Sequence, residues 1–402
     1  MVVSEPAELP FPPAAVPDPH AVRVFVDRAL ERARELGPQL PAPGEGRTAE
    51  LWRTLSELGR TDLAYARIIE PHLDALAILH QAGREDLVTD HDTWAVWAAE
   101  GPGEPLLATP TTPPGGTGAG TTWALTGTKP WCSLADSVTR AVVTAHVTDE
   151  HGEPTGHRRA FVVATDHPGF QPAPVTQWTS HGLAEVVTVP VTFEAVPAEP
   201  LGADEWYLTR PGFAWGGMGV AAIWLGGAQS VADLLWRQLR HPRRPVDDAA
   251  HTALGQLDLT LGAARAVLEQ AAAAVDAGGA AGDRGAAWAL RVRRTVADAA
   301  ETVIRVVSRA TGPGPLTGDP DHIRRVESLQ VYIRQDHADR DTAALGRTLL
   351  ALAEQEGPVD PARSRPQAAG SGVAGVGDAA PGRAQPGGVS PTGPAHPEDT
   401  PW

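Results

Sequence analysis

The chain has 402 residues, more than the roughly 250 to 300 at which one hydrophobic core stops growing, so we expect two or three structural units. Lys and Arg total 33 against 49 Asp and Glu, a formal net charge of −16 at pH 7 that argues against nucleic acid as a partner. One cysteine, Cys132, excludes an internal disulfide and, without a basic and apolar N-terminal signal, predicts a cytoplasmic protein.

Helical periodicity begins after a proline-rich stretch. Residues 1–19 contain six prolines, which prevent a regular helix or a paired strand, so we expect a disordered leader there. In residues 21–38 and 47–83 the pattern is that of helices, and in the longer segment leucines recur at three- and four-residue steps. The sequence therefore predicts an N-terminal helical domain over residues 20–93.

Short β-rich runs replace the helical period from Trp94 to about Val196. Alternate apolar residues in the last run share one face of a strand, namely Val187, Val189, Val191 and Phe193. Residues 149–152 have the composition of a hairpin turn. We therefore predict a central β domain over residues 94–205, built as a mostly antiparallel sheet or barrel.

The helical period returns after Pro211. Two apolar stripes with three- and four-residue steps follow, at Leu254, Leu257, Leu261, Ala264 and Leu268, and at Val296, Ala300, Val303, Ile304 and Val307. They predict long amphipathic helices in a C-terminal helical bundle over residues 206–356, with a last helix from Asp321 to about Leu352. The fold class is therefore α+β.

Two segments of the C-terminal half stand apart in composition. A long uncharged run, between Arg210 and Asp233, is rich in glycine and poor in the large apolar residues of a membrane span, so it predicts a buried helix. Residues 357–402 contain nine Pro and nine Gly among 46 residues, which predicts a disordered tail.

Three motifs of the middle unit resemble those of one enzyme family. Residues 125–136, with the sequence LTGTKPWCSLAD, are similar to the acyl-CoA dehydrogenase stretch L-x-G-x-K-x-W-I-T-N followed by A-D. Residues 183–202 resemble the family's strand and its V-P and L-G sequences, and residues 99–102 resemble its T-E-P loop without the usual G-S-D continuation. The resemblance covers about residues 47–352 and implies the acyl-CoA dehydrogenase-like fold.

The resemblance also implies an FAD cofactor and the residues that hold it. Trp131 is expected to cover one face of the isoalloxazine ring and Ser133 to donate a hydrogen bond near its N5 atom; the alternative is a core aromatic and a turn residue. Three neighbours in the same motifs, Ala99, Glu100 and Cys132, are assigned to the same cofactor. Arg244 resembles the Arg that reaches the cofactor of a neighbouring subunit, which implies a homo-oligomer, a dimer or a tetramer.

The catalytic base of the family is missing at its expected position. Counting from Glu327, that position falls on Gln335, and an amide has no basic site at neutral pH. The neighbouring Asp336 could abstract a proton, whereas His337 resembles a histidine that related flavin monooxygenases place over the ring. We expect both on a helix, with only one facing the flavin. His72 resembles a residue of the same monooxygenase branch and is assigned to substrate binding.

Three functions are compatible with these motifs. The function that the resemblance predicts first is an FAD-dependent oxidoreductase that acts on the CH–CH group of an acyl thioester and passes electrons to an acceptor. The alternative is a monooxygenase of the same fold that takes reduced flavin, FMN or FAD, from a reductase and uses O2 on an aromatic or polyketide-like substrate. A third is a non-catalytic homologue that serves in binding or assembly. The sequence predicts no metal site, because no ligand cluster of suitable spacing is present.

Overall fold

The structure is a computed structural model that describes residues 18–111, 122–242 and 245–356. The predicted tail and residues 1–17 of the predicted leader lie outside the described residues. The chain follows the order helices, sheet, helices, and one large apolar core continues from the N-terminal helices through the sheet into the C-terminal helices.

Three helices precede the sheet: α1 (Pro19–Leu36), α2 (Thr48–Thr61) and α3 (Leu63–Ala82). The predicted continuous helix over residues 47–83 is wrong in one respect, because it is divided at Asp62. This residue has extended backbone, and its carboxylate accepts a hydrogen bond from Tyr65 N at 2.8 Å, which caps the start of α3. Gly83, with φ of 64°, then ends α3 in the left-handed conformation that glycine adopts readily.

Seven strands follow: β1 (Trp94–Trp97), β2 (Leu107–Thr111), β3 (Thr122–Ser133), β4 (Arg140–Thr148), β5 (Pro154–Ala164), β6 (Phe170–Pro172) and β7 (Thr188–Leu201). They form one sheet in the order β1-β4-β2-β3-β7-β5, with β6 beside β7 and an additional β4–β5 pairing. The hairpin turn predicted at residues 149–152 joins β4 to β5. Five of the seven strand pairings are antiparallel, in agreement with the predicted mostly antiparallel sheet, but two are parallel, so the sheet is mixed, and the prediction of a barrel is not confirmed.

The parallel pairs arise where β1 and β2 meet β4. Residues 94–97 pair in parallel with residues 140–143, and Leu107 and Ala108 pair in parallel with His146 and Val147. Because β5 occupies the other edge of β4, the strands β1 and β2 lie end to end along the same edge. Residues 98–106 therefore form a loop that interrupts a single line of strand, which we call the strand-gap loop.

The C-terminal part contains seven described helices: α4 (Trp206–Thr209), α5 (Pro211–Arg240), α6 (Asp248–Asp276), α7 (Gly282–Thr311), α8 (Gly314–Gly318), α9 (Pro320–Tyr332) and α10 (Asp339–Glu356). Helix α5 is long and apolar enough to cross a membrane by composition, but 89% of its most apolar stretch is buried inside the protein, in agreement with the predicted buried helix. A side chain at Gly226 would collide with Ser56 O, so glycine lets α2 and α5 pack closely.

The predicted last helix is also divided. Helix α9 ends at Tyr332, and after a short turn over Ile333–Gln335 the backbone is extended at Asp336. Ala338 then has a positive φ of 49°, and α10 begins at Asp339. Asp336 and His337 thus lie in a bend between two helices, which we call the α9–α10 bend, and not on a helix as the sequence pattern indicates.

Ion pairs and a hydrogen bond join the sheet to the helices. Arg324 on α9 binds both Asp62 at the start of α3 and the buried Glu185 in the segment before β7. Ser328, one turn further along α9, accepts a hydrogen bond from Leu183 N at 3.2 Å. The segment before β7 is therefore held against α9, which fixes the position of the sheet relative to the α9–α10 bend.

Candidate functional site

The strand-gap loop is held by a buried lysine. Lys129 on β3 is 1% exposed, and its ammonium donates to Glu100 Oε1 at 3.0 Å and to Thr144 Oγ1 at 3.0 Å. Burial lowers the pKa of Lys129, while the Glu100 carboxylate acts in the opposite direction. Glu100 therefore has a structural contact that ties the strand-gap loop to two strands, and it leaves the backbone of Ala99 and Glu100 in a fixed position.

The predicted flavin-contacting segments lie against each other. A Cβ atom built on Gly101 would lie 2.9 Å from Pro130 Cγ and 3.9 Å from Trp131 Nε1, so the strand-gap loop packs on the end of β3. Trp131 itself exposes 59% of its surface, the largest such value among the described aromatic residues. An indole that is exposed beside a fixed loop is available to stack on a planar ligand.

The end of β3 also carries backbone strain. Trp131 has φ of 58° and Leu134 has φ of 61°, both in the left-handed region that residues other than glycine adopt at a cost of about 1 to 2 kcal/mol each. Such residues collect at ligand sites, where surrounding structure holds them in place. Here Trp97 Nε1 donates to Ser133 O at 3.0 Å and Leu134 N donates to Val187 O at 2.8 Å, which fixes the strained stretch on both sides.

Ser133 and Cys132 have inward-directed side chains. Thr188 Oγ1 donates to Val186 O at 2.9 Å, so the Ser133 hydroxyl, 2.9 Å from Thr188 Oγ1, donates to that oxygen. The Ser133 proton is thus used within the protein, and a hydrogen bond to a flavin N5 would require the hydroxyl to rotate. Cys132 is fully buried, and burial raises the pKa of its thiol, so the side chain is inert and only its backbone faces the loop.

The Asp336 carboxylate in the α9–α10 bend is engaged through one oxygen, while its buried Oδ1 atom has no hydrogen-bond partner among the described residues. Asp336 is 7% exposed, and one of its oxygens forms an ion pair with Arg294 and accepts a hydrogen bond from Ala338 N at 3.0 Å. This charge stabilises the bend and is not free to act as a base. His337 is exposed, and its Nδ1 lies 3.3 Å from Asp341 Oδ1. The Gln335 carbonyl accepts a hydrogen bond from Arg293 at 2.7 Å.

The two remaining predicted contacts lie elsewhere. His72 is 3% exposed and packs beneath the turn after α1, where a Cβ on Gly37 would lie 3.6 Å from its Nε2. Burial lowers the pKa of His72 to about 4, so the ring is neutral at physiological pH. Its Nδ1 atom has no hydrogen-bond partner among the residues described. Arg244 lies outside the described residues, so its assignment to a neighbouring subunit's cofactor remains a prediction.

A cavity of about 240 Å³, which the sequence analysis did not predict, lies between the turn after α1 and helices α2, α3 and α5. Its walls are mostly apolar and include two indoles, Trp52 and Trp215. Two carboxyl groups from successive turns of α3, Glu70 and Asp74, also line it. Neither His72 nor any residue of β3 or the strand-gap loop lines this space. We call it the α3–α5 cavity.

Charged residues surround Glu70. Arg67 Nη1 lies 3.2 Å from Glu70 Oε2, and its guanidinium lies 5.8 Å from the centroid of the Tyr332 ring. Burial raises the pKa of Glu70 to about 7, and Asp74 adds to this increase while Arg67 opposes it. The Tyr332 hydroxyl is buried and has no hydrogen-bond partner in the described part of the chain. Glu70 thus lies between the α3–α5 cavity and the last residue of α9.

The sequence contained one signal for this cavity. Residues 68–79 are apolar except for a short set of polar residues that includes Glu70 and Asp74, four positions apart and therefore on one face of a helix. A charged pair within an otherwise buried helix differs from a solvated charged face, because its neighbours on both sides are core residues.

Comparisons with solved structures identify the fold. KijD3, in complex with FMN and dTDP-3-amino-2,3,6-trideoxy-4-keto-3-methyl-D-glucose, matches with a TM-score of 0.63 and 21% identity over 88% of this chain and 97% of that chain. TdsC, a dibenzothiophene monooxygenase from Paenibacillus sp. A11-2, in complex with FMN and indole, matches with a TM-score of 0.63 and 17% identity over 83% and 95%.

Butyryl-CoA dehydrogenase from Megasphaera elsdenii matches with a TM-score of 0.64 and 17% identity over 83% of this chain and 90% of that chain. No protein-family model matches this chain, and no curated protein matches it. The helical, mixed-sheet and helical regions together have the acyl-CoA dehydrogenase fold, which confirms at the level of the fold the resemblance found in the sequence.

Proposed function

We propose that this chain is a flavin-dependent monooxygenase of the acyl-CoA dehydrogenase fold, which uses reduced flavin and O2 on a small organic substrate. The ion pair of Asp336 with Arg294 is the observation that favours a monooxygenase over a dehydrogenase. A dehydrogenase of this fold needs a free carboxylate facing the flavin to remove a proton from the substrate. In the α9–α10 bend the carboxylate is paired with Arg294, and the preceding residue is the neutral Gln335.

The residues at the end of β3 fit a planar ring. The exposed indole of Trp131 would cover one face, and the backbone of Ala99 and Glu100, fixed by Lys129, would border the ring. When bound, the flavin supplies two-electron transfer and activation of O2. KijD3 and TdsC are in complex with FMN, which supports FMN as the flavin. FAD is the alternative that the butyryl-CoA dehydrogenase match supports.

A second candidate is the dehydrogenation of an acyl thioester, with Glu70 as the base in place of the missing residue. The observation that favours it is a carboxyl group with a pKa of about 7 on the wall of an apolar cavity, since a base is most effective when its pKa lies near the working pH. The match to butyryl-CoA dehydrogenase is consistent with this candidate.

One experiment separates these candidates. The purified protein is titrated with FMN and FAD, oxidised and reduced, and flavin-loaded protein is mixed with acyl-CoAs in the absence of O2. We expect reduced flavin to bind and O2 to be consumed, with no bleaching by any acyl-CoA. Bleaching of bound flavin by an acyl-CoA would instead establish the dehydrogenase. If no flavin binds in either oxidation state, both candidates fail and a binding or assembly role is favoured.

A matched pair of tryptophan variants tests the flavin site itself. Trp131→Ala removes the exposed indole, and Trp288→Ala removes a half-buried indole on α7. We expect the first variant to lose flavin affinity by about tenfold or more, because ring stacking is worth roughly 1 to 3 kcal/mol. The second variant should bind flavin as the wild type does. Equal affinities for both variants would remove Trp131 from the site.

We further propose that the protein acts as a homo-oligomer, as the resemblance implies, and that it lies in the cytoplasm, as the single cysteine indicates. A reductase would supply reduced flavin to the monooxygenase. Size-exclusion chromatography with light scattering checks the oligomeric state, and a monomer at all concentrations would contradict it.

A further inference from the structure

Asp74 is the carboxylate on the wall of the α3–α5 cavity that lacks a direct partner, and Arg210 and Arg67 act on its charge only from a distance. It has neither a hydrogen bond nor an ion pair with any residue that the structure describes, although it is largely withdrawn from solvent. The other two carboxylates that line the cavity do have partners: Arg67 lies 3.2 Å from Glu70, and His80 lies 3.2 Å from Glu45. A negative charge without a partner in a partly apolar space attracts a cation.

The basic side chains near Asp74 are engaged elsewhere. Arg210 donates to Gln81 Oε1 at 2.8 Å, and Arg67 Nη1 lies 3.2 Å from Glu70 Oε2, so each of the two arginines that act on Asp74 has a nearer partner. Helix α5 approaches Asp74 with a glycine, and a Cβ on Gly216 would lie 2.9 Å from Asp74 Oδ1. Glycine at this position therefore lets α5 pack closely on one side of the carboxylate, which leaves the cavity as the side from which a ligand can reach it.

The remaining wall suits the body of an amine. Trp52 and Trp215 present indole rings to the same space, and an indole attracts a cation through the negative face of its ring. The volume of about 240 Å³ exceeds the roughly 150 Å³ of a dry apolar cavity that accommodates benzene. A ring of six carbons with a short aminoalkyl chain therefore fits.

We propose that the α3–α5 cavity binds a small lipophilic amine, with its ammonium group on Asp74 and its apolar body between the indoles. This inference goes beyond the proposed function and does not rest on it, because no residue of β3 or the strand-gap loop lines the cavity. Asp74 is then the residue that selects an amine over a neutral or anionic molecule of the same shape.

The test compares three probes of one shape with different charge. Calorimetry measures the binding of 2-phenylethylamine, 2-phenylethanol and phenylacetate to flavin-free protein in mildly alkaline buffer. We expect the amine to bind about tenfold or more tightly than the alcohol, and phenylacetate to bind weakest, since one paired charge is commonly worth a factor of ten. Equal affinities for the amine and the alcohol, or no binding of any probe, would overturn the proposal.

Two variants assign the effect to Asp74. Asp74→Asn removes the charge and keeps the shape, and we expect it to bring amine affinity to that of the alcohol while alcohol binding stays unchanged. Glu57→Gln, an exposed residue on α2, is the matched control and should leave all three affinities unchanged. If Asp74→Asn retains the preference for the amine, Asp74 is not the counter-ion. If this variant unfolds, the wild-type probe series still decides whether the cavity selects a cation.

The outcomes distinguish this inference from the proposed function. Binding of the amine by a protein that takes up no flavin would leave the cavity assignment intact and remove the monooxygenase. Flavin-dependent O2 consumption by a protein that does not select the amine would support the monooxygenase and overturn the cavity assignment.

Discussion

Two aspartates in the helical parts of this protein have opposite surroundings. Asp336 in the α9–α10 bend is paired with Arg294 and accepts a backbone hydrogen bond, whereas Asp74 on α3 has no partner among the described residues and lines an apolar cavity. Asp336 lies next to the position where the family keeps its base, and Asp74 lies far from it in sequence. A position next to the family's base therefore did not predict which aspartate lacks a direct partner: Asp336 is paired, and Asp74 is not.

Removal of Arg294 tests most directly whether the Asp336 carboxylate depends on its ion pair. In Arg294→Met the Asp336 carboxylate stays buried without its counter-charge, which costs about 3 to 5 kcal/mol when one partner of a buried pair is lost. We expect the free energy of unfolding to fall by that amount in urea titrations, and Asp336→Asn in the same background to recover part of it. A decrease in the free energy of unfolding below 1 kcal/mol would mean that the ion pair with Arg294 contributes little to the stability of the buried Asp336 carboxylate.

The next largest expected effect is on the pH dependence of stability, and it comes from the buried, neutral His72 on α3. Because burial lowers the pKa of His72 from its ordinary value to about 4, the unfolded chain takes up a proton between about pH 6.5 and 4 that the folded chain does not. Stability should therefore fall as the pH drops through this range, by about 3 kcal/mol. Unfolding of the wild type and of His72→Leu across this range measures the effect. A wild-type slope that His72→Leu fully retains would contradict it.

Asp74→Asn should change stability in the other direction. Burial raises the pKa of Asp74, so its ionised form is disfavoured in the folded state and stability falls as the pH rises above the unfolded value. At mildly alkaline pH the variant should be more stable than the wild type by about 1 kcal/mol, and the difference should vanish below the unfolded pKa. Thermal unfolding at two pH values measures this, and a variant less stable at both would show that Asp74 has a stabilising partner.

Trp131→Gly is expected to have the smallest effect on stability. The substitution removes an indole that is mostly exposed and relieves a positive φ, so stability should stay unchanged or rise by up to about 1 kcal/mol. Flavin affinity should be lost at the same time. A loss of stability above 1 kcal/mol in urea titrations would mean that the indole packs as a core residue, which was the alternative interpretation of the sequence.

The order of the structural units could be predicted from the sequence because apolar residues recur with a helical period in the first and last units and in short β-rich runs in the middle unit. The resemblance assigned both residues 99–102 and Trp131 to the flavin, and in the structure a Cβ on Gly101 would lie 3.9 Å from Trp131 Nε1, so the two segments are neighbours. These successes depend on local patterns and on one motif of fixed spacing. The role of these residues in flavin binding stays a prediction.

Other features could not be read from local patterns. The parallel pairing depends on the return of β2 to the same edge of β4, a contact between residues about 40 positions apart. The break after Tyr332 depends on Arg294, which lies on another helix and holds Asp336 in extended backbone. The Glu70 and Asp74 pair stands out in an apolar helix, but the cavity that it lines is formed with residues of α2 and of α5, the latter far away in the sequence. Each failure was therefore tertiary in origin.

The strand-gap loop has a consequence for how this molecule can be altered. The strands at its two ends, β1 and β2, both pair with β4. The distance that the loop must span is therefore set by this pairing and not by the residues between Ala99 and Leu106. Gly103 has φ of 108° and free space around it, so the tip tolerates additional residues. Longer segments can therefore be grafted at this tip while the strands on either side keep their register.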